Sequence, residues 1–482
     1  MKGLNLRQQQ FIEICKREYG DRYDRLHWIS EAEASRATEE RNHLMAWLNN
    51  HGINTTCHQT KPHCHTLSPG CRSCTLGEWS CLFINGICNG RCFFCPTDQS
   101  DLSDPVTQSI QFNEPQDYVD YLDLFQFKGV SLSGGEPLMS IERTISFISA
   151  VKKRFGASMH LWMYTNGKLV TPEILRALQK AGLDEIRFNI YASHDFLEKI
   201  RSAAGLIRYV TVEIPAIPEG IESLKQMLAP LKNHGVQFLN LHQLRLTPHN
   251  YPHLAKRNYS YIHGPKATVP ESELTALKVM KYNMEEGINL PINYCSFVYK
   301  NTFQRLAERR RHARYIMKPH ESLTEAGMIR SLQLKGHPEK IRRQIKTLQD
   351  RNIHEGAWNL REGEGLFFHP SCWPDVDFKD CSLVAHYCDT AIRSSVSYQN
   401  MFKKIQISTQ KKVVIERWSV SREKELHHAD IFRFGRRYLG YSVEDETTYR
   451  QGGRESARNE QPSLWDDLDQ VEQIPEGLAT YY

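Results

Sequence analysis

Apolar positions recur at helical spacing twice near the start of the chain. Phe11, Ile12 and Cys15 do so within residues 4–19, then Leu44, Trp47 and Leu48 within residues 30–50. Each stretch predicts an amphipathic helix packed by one face on the core of the protein. From Trp79 the pattern changes: short apolar runs alternate with amphipathic stretches, which predicts an α/β fold of parallel strands joined by helices. The expected strands are 79–84, 129–133, 160–165, 185–191, 209–214 and 238–246, with helices near 114–125, 140–155, 172–181 and 219–233. Pro115 and Pro172 fall in the first turns of their helices, where a missing N–H costs nothing. Six strand–helix units are too few for a closed eight-stranded barrel.

After Leu246 comes a polar loop, then a helix near 271–286 and a segment, Pro291 to Ser296, that suits a seventh strand delivering Tyr294 or Cys295. The next helix carries Arg309, Arg310, Arg311 and Arg314, and helix 338–350 carries Lys340, Arg342, Arg343 and Lys346. Such runs read as solvated faces, or as a landing strip for a phosphate-bearing or acidic substrate. Residues 365–420 turn β-rich, and beyond about 443 the chain is polar, which predicts a disordered tail or a short docking segment. The expected organisation is a helical extension (1–56), a four-cysteine segment (57–82), the strand–helix core (83–300), a basic helical segment (301–362), a small β-containing C-terminal region (363–442) and the tail (443–482).

Composition adds little. Of 482 residues, 24% are charged and 40% hydrophobic, with a formal charge of +5, so a soluble protein of two or three domains is expected. That charge permits an anionic partner without arguing for nucleic acid. With no apolar run of membrane-spanning length and no signal-peptide core at the start, the expected location is cytoplasmic, away from membranes.

Thirteen cysteines therefore need a use other than disulfides. Eight fall between Cys57 and Cys95, and clustering of this kind reads as metal ligation. Cys64, Cys71, Cys74 and Cys81, spaced six, two and six residues apart, suggest a closed structural site for zinc or iron, or an auxiliary cluster. The alternative is that some merely pack as small apolar groups. His58, His63 and His65 stand nearby as substitute ligands or surface residues. Cys372, Cys381 and Cys388, with His369 and His386, could hold a second metal, but their spacing follows no metal pattern and buried free thiols are the preferred reading. Cys88, Cys92 and Cys95 offer three thiolates in one tight loop, which suits a soft metal centre with one position left open.

The string Cys88-Asn-Gly-Arg-Cys92-Phe-Phe-Cys95, with Gly134-Gly135-Glu136-Pro137 downstream, resembles the signature of the radical S-adenosylmethionine (SAM) superfamily. Residues 64–315 more closely resemble an uncharacterised group related to pyruvate formate-lyase activating enzymes, and the archaeal arginine methylases of methyl-coenzyme M reductase. The resemblance implies an open (β/α)6 partial barrel, a 4Fe–4S cluster on Cys88, Cys92 and Cys95, and SAM on the cluster's open iron. It also implies Phe94 against the adenine, and Gly134, Gly135, Glu136 and Pro137 at the methionine ammonium, where glycine lets backbone come close. Other polar residues at strand ends are cofactor-binding candidates: Thr165, Asn166, Asn189, Glu213 and His242. The methylases bind cobalamin; this chain lacks the Asp-x-His-x-x-Gly signature, but those methylases need not carry it, so its absence decides little and cobalamin is possible but not indicated.

The expected function is reductive cleavage of SAM to a 5′-deoxyadenosyl radical that modifies a peptide or protein side chain. A low-potential donor of flavodoxin or ferredoxin type would supply the electron. Cys295 is a candidate radical relay or substrate-facing thiol. The alternatives are RNA or nucleotide modification by the same chemistry, prompted by the basic helices, and a non-catalytic metal-cluster binding module.

Overall fold

The computed structural model describes residues 6–193, 195–420, 423–441 and 462–481. Two compact units emerge: Met1–Gln304 with Ile407–Lys411 and Glu476–Tyr482, and Arg305–Gln406 with Lys412–Pro475.

The first unit is built on a mixed sheet whose centre is seven parallel strands in chain order: β1 (Trp79–Ile87), β2 (Gly129–Gly134), β3 (His160–Thr165), β4 (Glu185–Phe188), β5 (Tyr209–Pro215), β6 (Phe238–His242) and β7 (Ile292–Cys295). An antiparallel hairpin, Asn54–Thr56 with Lys61–His63, extends the sheet beyond β7. Another, Val106–Thr107 with Ile110–Gln111, extends it beyond β1. The strands carry an apolar layer that helices cover, including Leu82, Val130, Leu161, Ile186, Val212, Leu239 and Ile292, all at most 1% exposed. Parallel strands covered in this way read as continuous apolar runs, which is why the pattern identifies them.

The helices start and stop where their caps dictate. Glu31–Asn50 opens with a capping box in which Ser30 and Glu33 satisfy each other's backbone N–H groups. Pro172–Ala181 begins on a Thr171 cap and ends at Gly182 in the left-handed region, φ 102°. The expected strands over 185–191 and 238–246 stop early, at Phe188 and His242. In the first case the Asn189 side chain accepts the Tyr191 N–H and turns the chain. The helix Phe196–Ala204 between β4 and β5 is absent from the elements the pattern predicts.

The second unit is an antiparallel sheet ordered 358–361, 365–368, 329–335, 382–393, 412–419 and 401–406, with helices on its apolar face. Its first helix, Arg305–Ile316, divides the arginine run, with Arg310 and Arg314 exposed as on a solvated face and Arg309 turned to the sheet. Arg309 makes two bonds to the Asp389 carboxylate, at 2.9 and 3.0 Å, and Arg305 makes one, so these arginines hold the helix to the sheet. The expected disordered tail lies outside the described residues as far as 461. Beyond it, Pro462–Glu472 is a helix with Trp465 and Leu468 in this unit's core and Glu472 accepting from Arg330 and Tyr387. Tyr481 is buried in the first unit, its hydroxyl donating to Glu273 at 2.7 Å. These ordered pieces supply the apolar and aromatic anchors that a polar average conceals. Among the described residues, no helix is long and apolar enough to cross a membrane.

Candidate functional site

The C-terminal ends of the core strands carry the cluster-loop cysteines, the glycine turn, Thr165, Asn166, Asn189, Glu213, His242 and Cys295. The loop Cys88–Cys95 leaves β1 and is closed by the Cys95 N–H on the Cys92 carbonyl. Amides point at its sulfurs: Asn166 Nδ2 lies 3.5 Å from Cys88 Sγ and Asn189 Nδ2 lies 3.8 Å from Cys92 Sγ. The Gly90 N–H points at Cys88 Sγ from 3.2 Å, and a Cβ on Gly90 would stand 3.3 Å from that sulfur. Burial, then the neighbouring Cys95 and Cys88, push the Cys92 thiol up to about 11. Phe94 packs edge-on against Phe93 and Tyr191, and its carbonyl accepts from Asn250.

The Gly134–Pro137 turn follows β2 and presses on β1. A Cβ on Gly135 would fall 1.8 Å from the Ile87 carbonyl oxygen, and Gly134 has φ 116°, so both positions require glycine. Glu136 is 1% exposed, and both of its oxygens serve the chain. Oε1 accepts from Thr165 Oγ1 at 2.8 Å and the Leu138 N–H; Oε2 accepts the Asn166 N–H at 2.7 Å. Burial raises its pKa in spite of these bonds. Glu136 is thus a brace between two loops of the site, with no oxygen left over, rather than a carboxylate facing an open mouth. Pro137 starts the short turn Pro137–Ser140 beneath it.

On the other flank, side chains in register make a polar row across the strands. Glu213 on β5 pairs with Asn240 on β6, which pairs with Asn293 on β7. The side chains follow suit: Asn293 Nδ2 donates to Asn240 Oδ1 and Asn240 Nδ2 to Glu213 Oε2, each at 3.0 Å. Arg187 on β4 donates to Glu213 at 2.6 Å and to Glu185 at 2.8 Å. Burial works to raise both carboxyls, but Arg187 with its neighbours holds Glu185 at about 2 and Glu213 well below the usual carboxylate range. His242 bridges onward: Nε2 donates to Glu213 Oε1 at 2.5 Å and Nδ1 accepts from Lys300 Nζ at 2.6 Å.

Cys295 ends β7, where its sulfur receives Lys61 Nζ at 2.9 Å and Asn293 Nδ2 at 3.3 Å. Lys61 is fully buried and lies over the Tyr299 ring. Burial opposes its charge, yet Cys295, Cys71 and Cys74 together hold its pKa above the ordinary value.

The four cysteines expected from spacing to share a site lie apart in their surroundings, and among the described residues no three His, Cys, Asp or Glu side chains converge as a metal site, the thiols of the Cys88–Cys95 loop included. Cys64 faces Asn283, Cys71 donates to Asn240 Oδ1, Cys74 accepts from Tyr299 and Gln304, and Cys81 meets Ser131. The reason is secondary structure. Cys71 and Cys74 sit on the helix Pro69–Thr75, Cys81 on β1 and Cys64 just after a strand, so the four sulfurs point into different surroundings. His63 is buried beside Cys64, whereas His65 is exposed. Among the C-terminal group, Cys372 contacts the Ala357 carbonyl, Cys388 lies 3.5 Å from Arg417 and His386 pairs with Gln333.

Lys61, Arg187, Asn293 and Lys300 escape the sequence reading. Only Arg187 leaves a signal, since with Glu185 it sets two opposite charges in one short buried parallel strand.

A family model described as the radical SAM superfamily matches residues 82–238, from β1 into β6. A Methanocaldococcus jannaschii protein described as a candidate glycyl-radical enzyme activating enzyme is 32% identical over 285 residues, 56% of this chain and 75% of that protein. Two solved structures show weaker likeness. Streptococcus suis SuiB bound to S-adenosylmethionine is 12% identical over 60% of each chain, with a TM-score of 0.34. The methyltransferase TsrM of Kitasatospora setae is 15% identical over 34% of this chain and 36% of that one, with a TM-score of 0.26. Those scores are too low to carry an argument. With three cysteines at the end of β1, a glycine turn at the end of β2 and a relative matched over three quarters of its length, the chain belongs to the radical SAM superfamily, enzymes that work with SAM at an iron–sulfur cluster.

Proposed function

We propose that Cys88, Cys92 and Cys95 hold a 4Fe–4S cluster by three thiolates, and that the enzyme uses SAM there to modify a peptide or protein side chain. The observation that carries this reading is the cradle around the thiols. Gly90 leaves room beside Cys88, and Asn166, Asn189 and the Gly90 N–H aim donors at two of the three sulfurs. Hydrogen bonds to sulfur are what a cluster's thiolates accept and what tunes their potential. Bound there, the cluster and SAM would supply a 5′-deoxyadenosyl radical able to take a hydrogen atom from the substrate.

The chain's own work is placement. Glu136 locks the glycine turn to Thr165 and Asn166, which fixes the Asn166 amide against Cys88. Phe94 and Tyr191 form an apolar wall beside the loop, suited to a flat heteroaromatic group. The seven parallel strands act as an open partial barrel with these loops at its mouth. The electron would come from a flavodoxin- or ferredoxin-type donor.

A protein substrate is favoured by the likeness to a candidate activating enzyme. The nucleic-acid alternative loses part of its motive, because Arg305 and Arg309 are engaged with Asp389.

The test is 5′-deoxyadenosine formation by anaerobically reconstituted, reduced protein, beside a variant with Cys88, Cys92 and Cys95 all changed to Ala. Product from the wild type alone supports the reading. Equal product from both, or none from either, rejects it.

A further inference from the structure

We propose that Lys300 and Arg245, on the ring of Phe297 beyond the ends of β6 and β7, form a carboxylate-binding subsite for an acidic group of the substrate. The inference rests on the radical SAM reading of the site and specifies the class of substrate.

Lys300 Nζ lies 5.0 Å and Arg245 Cζ 5.8 Å from the centre of the Phe297 ring, so one aromatic side chain carries both cations. Neither has an ion-pair partner among the described residues. Lys300 donates to the neutral nitrogen of His242, whose other nitrogen faces Glu213, and the Arg245 guanidinium lies on the ring within the field of Glu18, whose own ion pair is with Lys266. Lys61 is a third buried cation in the same interior, and its partner is the sulfur of Cys295.

Glu18, the carboxylate that acts on Arg245, is already paired with Lys266, and Glu185 and Glu213 stand against four cations, Arg187, Lys61, Lys300 and Arg245. Positive charge is therefore in excess. Burial, together with repulsion from Lys61 and Arg245, depresses the pKa of Lys300 even with Cys295 and Glu213 working the other way. An anion placed between Lys300 and Arg245 would relieve that repulsion, and a planar carboxylate can take parallel donors from a guanidinium.

The backbone holds the pair rigidly. Ser296 caps the turn Phe297–Tyr299 and bonds to the Thr60 carbonyl, while the Phe297 N–H donates to Gln243 Oε1. Lys300 then opens a π-helical turn, Lys300–Gln304, that sends Lys300 toward His242 and Gln304 toward Cys74. Single π turns of this kind concentrate at functional sites.

Position favours the substrate over the cofactor. The glycine turn sits at β2 on one flank of the sheet, whereas Lys300 follows β7 on the other, and Arg245 lies between, close enough to feel the charge of Cys95. A group bound here would face the cluster loop from across the strand ends.

The probes are the α-amides of N-acetylglutamate and N-acetylglutamine, which differ by one side-chain carboxylate. They are titrated calorimetrically into anaerobically reconstituted protein saturated with SAM. The acid is expected to bind at least about tenfold tighter than the amide. Lys300→Gln and Arg245→Gln should each abolish that preference while SAM affinity stays within about twofold. Absence of any preference in wild-type protein that binds SAM would overturn the proposal. So would a loss of SAM affinity of about tenfold in Lys300→Gln, which would assign the cations to the cofactor's own carboxylate. If Lys300→Gln fails to fold, Arg245→Gln decides, because its side chain is only half-buried. Wild-type protein that takes up no SAM would sink the proposed function instead; the acid preference, measured without SAM, would still judge the subsite.

Discussion

Glu136 accepts the backbone N–H of Asn166 at 2.7 Å, and through that bond the turn after β2 sets the position of the amide that faces Cys88. The carboxylate is buried and fully used, so a change at this position should act on the shape of the site before it acts on its charge.

Glu136→Gln keeps one oxygen but brings an NH2 toward donors. It should cost about 1–3 kcal/mol in urea unfolding, as expected when a buried hydrogen-bond network loses an acceptor. Iron uptake on reconstitution should fall with it. Full stability together with full iron loading would refute the bracing role.

Gly135→Ala puts a methyl group 1.8 Å from the Ile87 carbonyl oxygen, a backbone atom that cannot swing aside. The turn must move off β1, and overpacking of this severity costs about 1–3 kcal/mol or more. A melting temperature within about a degree of wild type would show that the turn and β1 do not approach so tightly.

Acid should weaken the first unit. Glu185 is held at about 2 in the fold and Glu213 is also depressed, so their contribution is complete above the ordinary glutamate value and is lost as pH falls toward 2. For Glu185 that amounts to something on the order of 3 kcal/mol. Urea midpoints between pH 5 and pH 3 should drop steeply, and Glu185→Gln should flatten the slope. Equal slopes in both proteins would contradict the assignment.

Leu468→Ala probes the helix Pro462–Glu472. Leu468 is fully buried in the second unit's core, and its truncation should cost about 2–5 kcal/mol. Limited proteolysis should then cut within 462–472. Undiminished stability would mean that the helix does not dock.

Much of the fold can be read in the chain because parallel strands covered by helices carry an uninterrupted apolar signal. Six of the seven core strands are legible from that signal, and the seventh from the short run around Tyr294. The three cysteines of the β1 loop are legible because local spacing fixes them in one turn. The set of Cys64, Cys71, Cys74 and Cys81 misleads for the converse reason: its spacing crosses a helix, a loop and a strand, and linear distance says nothing about where each sulfur points. Lys61, Asn293 and Lys300 are illegible because the pairing of β7 with β6 and with the hairpin strand Lys61–His63, and the turn after β7, bring them together, and register is a property of the sheet. The terminal helix is hidden by averaging, since Trp465 and Leu468 anchor it within an otherwise acidic stretch.

Arg187 balances two carboxylates on two adjacent strands. Loss of Arg187 alone leaves two buried carboxylates with no guanidinium between them, whereas loss of either glutamate leaves an intact ion pair. Drift at these positions must therefore be ordered, with a glutamate free to go first and the guanidinium only after both carboxylates. Sequences that share this core should lose Arg187 last, and a chain caught with both glutamates and no guanidinium should be the unstable one.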